Sequence, residues 1–174
     1  MTAESHYLDA LEALEADDRE EALLHARKAI KLDSEHADAW RIISDASLPG
    51  LRKQPTLKQA ASSLSAAKKV VALQPDDLAM WVRGGRLLSD ELGLYMDALQ
   101  WWQDARHHAP EEVTPIVEQA AILADMGLYG EASERLQSII DENMDLATTQ
   151  YSRVARLHQM LSLIHISEPT RRRT

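Results

Sequence analysis

Small and apolar residues recur along this chain at intervals that neither one helix nor one sheet produces. Ala22, Ser63, Ala98 and Ala132 are separated by 41, 35 and 34 residues, and Ala29, Val70, Ala105 and Ile139 repeat the same three intervals. Trp40 and Trp81 are also 41 apart and Pro75 and Pro110 are 35 apart, with Ser34 and Met144 at the matching positions further out. Independent markers in one register define a unit of about 34 residues, too small to bury its apolar face alone, so stability must come from stacking on neighbouring units. Within the units apolar residues fall at helical spacing, as in Tyr7, Leu8, Leu11 and Leu14 or Ile116, Ala120 and Leu123. The spacing predicts copies at about 3–36, 37–77, 78–112 and 113–146, with a partial fifth over 147–160.

The stretch from Met80 to Pro110 carries the fullest pattern. Trp81, Gly85, Leu88, Ala98, Trp102, Ala105 and Pro110 follow the order W-x2-L-G-x2-Y, A-x3-F, P. On these residues the chain resembles the tetratricopeptide repeat family. Gly84 stands where that family prefers Leu, and one extra residue lies between Trp81 and Ala98. In the first copy His6 and Asp9 stand where Trp and Leu are expected, while Tyr129 and Ala132 reproduce the opening made by Tyr95 and Ala98. The resemblance implies an all-α fold: an alpha-alpha superhelix, or solenoid, of antiparallel helix hairpins forming one repeat domain over residues 1–160.

The second copy is interrupted. Leu48 to Pro55 lengthens its inter-helix turn, since Pro49, Gly50 and Pro55 oppose a helix, while Thr56 and Gln59 offer a capping box for the restart. Asp18 and Glu21 make a similar start signal for the second helix of the first copy. Trp101 and Trp102 point about 100° apart on a helix. Trp102 matches the family's buried aromatic, and Trp101 is expected to cover the second helix of the next repeat, with an exposed interface anchor as the alternative.

Composition narrows the function. With 45% hydrophobic residues the chain can bury a continuous core, and the absence of cysteine removes disulfides, thiolate metal sites and a thiol nucleophile. A net charge of -9 disfavours nucleic acid and anionic membrane. The N-terminal residues lack the basic and apolar regions of a signal peptide, and no stretch spans a bilayer, so a cytoplasmic monomer is the expectation. Phosphate-binding glycine loops, HExxH, GxSxG and calcium-loop patterns are all missing, which predicts no catalytic residues, no cofactor and no enzyme activity. No metal site is expected either: His25 and His36 have no companions at ligand spacing, and the adjacent His107 and His108 face different ways.

Residues 161–171, LSLIHISEPTR, resemble an in-frame translation of the transposase mosaic-end adapter used in shotgun DNA libraries. On that reading 161–174 is a non-native tail, and the natural chain runs to about Met160 and continues beyond what is recorded.

Resemblance to tetratricopeptide proteins implies a protein-interaction scaffold, whose first helices line a concave groove for an extended peptide or a partner helix. The inward positions select Asp38, Arg41, Asp45, Val82, Arg86, Val117 and Ala121 as partner-binding residues. Val82 and Val117 are the expected apolar anchors, with Arg41 and Arg86 reading charge. Of the clamp that chaperone-tail binders use for a terminal carboxylate only Arg83 agrees, which argues against that ligand. Arg52 and Lys53, in the most basic stretch of an acidic chain, are the secondary candidates. Two other readings remain: a helical accessory region of a larger enzyme or transport or assembly component, and a structural or self-assembling solenoid.

Overall fold

The computed structural model describes residues 2–50 and 53–141, together with 152, 154–157, 159 and 161. Among the described residues up to 141 there are eight α-helices: α1 (Ala3–Glu15), α2 (Arg19–Leu32), α3 (Ala37–Ser47), α4 (Leu57–Leu73), α5 (Leu78–Arg86), α6 (Tyr95–His108), α7 (Thr114–Asp125) and α8 (Tyr129–Asp141). No strand occurs among the described residues. Most of the expected partial fifth copy and all of the adapter-like tail except Leu161 lie outside those residues. Within them, 154–157 are helical, and Val154 and Leu161 are buried. The chain divides into two compact units, Met1–Trp101 and Trp102–Thr174.

In the first unit, helix starts are set by local chemistry. Thr2, Asp18, His36, Thr56 and Asp77 each accept a backbone N–H of the following first turn, satisfying a donor that the helix itself leaves free. Thr56 and Gln59 form the expected reciprocal box, with the Gln59 N–H donating to Thr56 Oγ1 at 3.3 Å and the Thr56 N–H to Gln59 Oε1 at 2.9 Å. Asp18 caps α2 through the Glu21 N–H at 3.1 Å, but the Glu21 side chain turns to His25 instead of closing a box. His36 is a helix cap: its Nδ1 accepts the Ala39 N–H at 3.3 Å, and its ring lies 5.0 Å from that of Tyr7.

Small residues let these helices approach. Ala10, Ala13, Ala22 and Ala26 of the first hairpin share a core with Ile42, Ile43, Ala46 and Ala66. All members of the two spaced series, Ala22, Ser63, Ala98 and Ala132 and then Ala29, Val70, Ala105 and Ile139, are buried. Ser63 brings a hydroxyl where the others have a methyl, and Ser44 answers it. Ser63 Oγ donates to the Ser44 carbonyl at 2.8 Å, and the two hydroxyls lie 3.0 Å apart, so neither polar group is left unmade in the core.

Asp17, Gly93 and Gly127 occupy the hairpin turns of the first, third and fourth copies, and all three have positive φ, at 58°, 64° and 79°. Glycine adopts that region without a Cβ penalty, and aspartate is among the few side chains that tolerate it. The additional residue of the third copy is absorbed as a π turn over Leu87–Glu91, closed by the Leu92 N–H to the Leu87 carbonyl at 3.0 Å.

Trp101 is buried within its own hairpin and is not an exposed anchor. Its buried indole lies 4.6 Å from the Trp81 ring, centroid to centroid, and its Nε1 donates to the Trp81 carbonyl at 2.7 Å. A Cβ at Gly84 would overlap the Trp101 ring. Glycine stands in place of the family's Leu because a tryptophan from the opposite helix fills that volume. The Trp40 and Trp81 indoles repeat one contact, each donating to the carbonyl six residues upstream, at Ser34 (2.9 Å) and Pro75 (2.8 Å).

In the second unit Trp102 is 1% exposed. Every residue of α7 from Thr114 to Ala120 is buried, together with Ile122 and Leu123; a helix covered on nearly all sides is a central one. Pro115 sits in its first turn, where no intrahelical N–H is needed. The paired helix α8 buries Ala132, Leu136 and Ile139.

Candidate functional site

On α3, Asp38, Arg41 and Asp45 fall at i, i+3 and i+7, and on α5 the same intervals give Ala79, Val82 and Arg86. Each set lies on one stripe of its helix. Side chains on the opposite face, Met80, Trp81, Gly84 and Gly85 in α5, are buried. Ala79 and Arg86 are exposed and Val82 is half-buried, so these three face outward from the core.

The arginine of the first stripe is occupied. Arg41 donates through Nε to Asp77 Oδ2 at 2.8 Å, through Nη1 to Asp38 Oδ1 at 2.8 Å, and through Nη2 to Gln74 Oε1 at 2.5 Å. Asp77 is the hub of this network. One of its oxygens takes the Met80 N–H at the start of α5 and the other takes Arg41, and its side chain is only 10% exposed. A fork already bonded along three edges has little left with which to read a ligand; Arg41 ties α3 to the α4–α5 junction. Asp45 is likewise engaged, as the ion-pair partner of Arg83 on α5. Asp38, Asp45 and Asp77 thus offset Arg41 and Arg83, while Arg86 has no ion-pair partner among the described residues.

The remaining sequence-selected positions separate sharply. Val117 has no accessible surface and is a core residue of α7, so it cannot serve as the apolar anchor expected of it; Ala121 is half-buried. Arg52 lies outside the described residues. Lys53 is exposed beside Asp17, Asp18, Arg19 and Glu20, so its surroundings are mixed in charge and not a basic patch. The insertion is held by Arg19, whose Nη1 donates to the carbonyls of Asp45 and Leu48, both at 3.0 Å. Beside it runs an open cleft of about 530 Å³ with Arg19, Arg27 and Lys58 among its walls.

One grouping runs against expectation. His25, read as lacking companions, faces two: its Nδ1 lies 3.2 Å from Asp9 Oδ2, and the same oxygen lies 3.9 Å from His6 Nδ1. The i, i+3 spacing of His6 and Asp9 is visible in the sequence. The arrival of His25 from the antiparallel helix α2 is not.

No protein-family model matches the sequence, and neither does any curated protein. Solved structures do match. A crystal structure of MamA superposes with a TM-score of 0.62 at 13% identity, over 92% of this chain and 81% of that one. MamA 41-end from Desulfovibrio magneticus RS-1 gives 0.60 at 15% identity over 97% of both chains. YrrB, a TPR protein with an unusual peptide-binding site, gives 0.56 at 17% identity over 91% of this chain and 89% of its own. At such identities the likeness is one of fold: all-α, an alpha-alpha superhelix of tetratricopeptide-like hairpins. Among the described residues no helix is long and apolar enough to cross a membrane.

Proposed function

We propose that the chain is a protein-interaction scaffold whose repeat domain, over 1–160, receives a peptide or a partner helix on the face formed by the first helices of its hairpins. The observation that carries this reading is the state of Arg86. It is exposed and has no ion-pair partner among the described residues, whereas Asp38, Arg41 and Asp45 of the α3 stripe and the neighbouring Arg83 of α5 are paired within the chain. Ala79 and Val82 lie beside it as a small apolar surface. An acidic group flanked by an apolar residue is the complement of that pattern, since an interface discriminates by matching charge at the rim and apolar contact beside it. YrrB supports the class of ligand, because it shares the fold and has a peptide-binding site. Arg41 and Asp45 act in this reading by holding α3 against α5, not by touching the partner.

A peptide-array screen of the wild-type chain beside Arg86→Glu tests it, with circular dichroism confirming that both are folded. Bound peptides should be enriched in acidic residues, and charge reversal at an exposed rim should weaken them by roughly 1 kcal/mol, more where the pair is desolvated. Equal binding of the same peptides by both chains would remove this face as the site.

A further inference from the structure

We infer that His6, Asp9 and His25 form a binding site for a first-row divalent cation of the zinc class, clipping α1 to α2 in the first hairpin. Their ligand atoms all lie within 4.8 Å of one another. Two measured edges are 3.2 Å, from His25 Nδ1 to Asp9 Oδ2, and 3.9 Å, from Asp9 Oδ2 to His6 Nδ1. Ligands held about 2.0–2.1 Å from a tetrahedral zinc ion stand roughly 3.3 Å apart. One edge already has about that length, the second closes by about 0.6 Å, and the third, between the two imidazoles, closes from within 4.8 Å by side-chain rotation.

Hydrogen bonding supports the same reading. His25 Nε2 lies 3.1 Å from Glu21 Oε1 in hydrogen-bond geometry. A carboxylate only accepts, so Nε2 is the donor of that bond and Nδ1 is the ring nitrogen turned toward Asp9. A carboxylate holding the far nitrogen of a ligating histidine is the usual way in which ring orientation and tautomer are set at such centres. Nδ1 of His25 and Nδ1 of His6 are both closed to solvent, and neither makes a hydrogen bond with any described group. Two buried nitrogens and a carboxylate oxygen therefore converge without a hydrogen bond that joins them. That cost is removed by a cation at their common centre. Two imidazoles and one carboxylate suit zinc, cobalt or nickel better than calcium or magnesium, which require mostly oxygen ligands. Asp9, with its side chain 41% exposed, is the solvent-facing member and marks the entry side. Three protein ligands leave a coordination position for water.

Titration of the full chain with Co²⁺, followed by its visible absorption and by displacement with Zn²⁺, tests the site. One equivalent should bind, and Zn²⁺ should raise the melting temperature of the wild-type chain. Asp9→Asn and His25→Gln should each lower the affinity by about tenfold or more, while a His107→Ala, His108→Ala double variant binds as the wild type does. If His25→Gln fails to fold, Asp9→Asn decides, because its partly exposed side chain is replaced by one of the same shape. Absence of one-equivalent binding, or unchanged affinity in Asp9→Asn, would overturn the proposal and leave the three residues as a buried polar cluster.

Discussion

The first and third hairpins put three side chains in corresponding places and fill them with opposite chemistry. In α5 and α6 the positions hold Trp81, Gly84 and Trp101; in α1 and α2 the same positions hold His6, Asp9 and His25. The aromatic set closes on itself, with one indole packed on the other and a glycine making room. That arrangement contributes apolar burial directly. The polar set buries two imidazoles against a carboxylate and gains little from apolar contact, so its members depend on being satisfied. Antiparallel hairpin geometry determines where three residues converge. It is indifferent to whether they form a core or a site, and a departure from the repeat pattern is where the second can arise.

The comparison can be broken most severely in the third hairpin. Trp101→Ala removes a large buried ring together with its hydrogen bond to the Trp81 carbonyl, and should cost roughly 3–5 kcal/mol in urea unfolding. A loss below about 1 kcal/mol would mean that the indole is not part of the core. Next in size is Gly84→Leu, which restores the family's preferred residue and should nevertheless destabilise by about 1–3 kcal/mol, because the new side chain must displace Trp101. An increase in stability would show that Trp101 can relocate at no cost. The smallest effect belongs to the matching change in the first hairpin. Asp9→Leu leaves two buried imidazole nitrogens facing an apolar side chain and should cost metal-free stability about 1 kcal/mol, while removing cation-induced stabilisation altogether. Persisting stabilisation by Zn²⁺ in that variant would place the cation elsewhere.

Much of the fold was legible in the residues, because repeats and caps are local. The spaced alanine, valine and isoleucine positions are buried as their periodicity requires, and Asp18, Thr56 and Gln59 cap where their side chains can reach a free N–H. The binding face was less legible. Asp38, Arg41, Asp45, Val82 and Arg86 do share the stripes that their spacing implies, but spacing says nothing of what neighbouring helices offer. Asp77 and Gln74 take up Arg41, Arg83 takes up Asp45, and the surroundings of Val117 exclude solvent from it.

By itself the sequence determined the period, the helix starts and turns, and which residues share one face of each helix, since all of these follow from interactions spanning a few residues. Tertiary structure alone decided which faces meet. The relative rotation of packed helices, set by the volumes at their contact, brought His25 to His6 and Asp9, aimed Trp101 at Gly84, and left Arg86 without an ion-pair partner among the described residues.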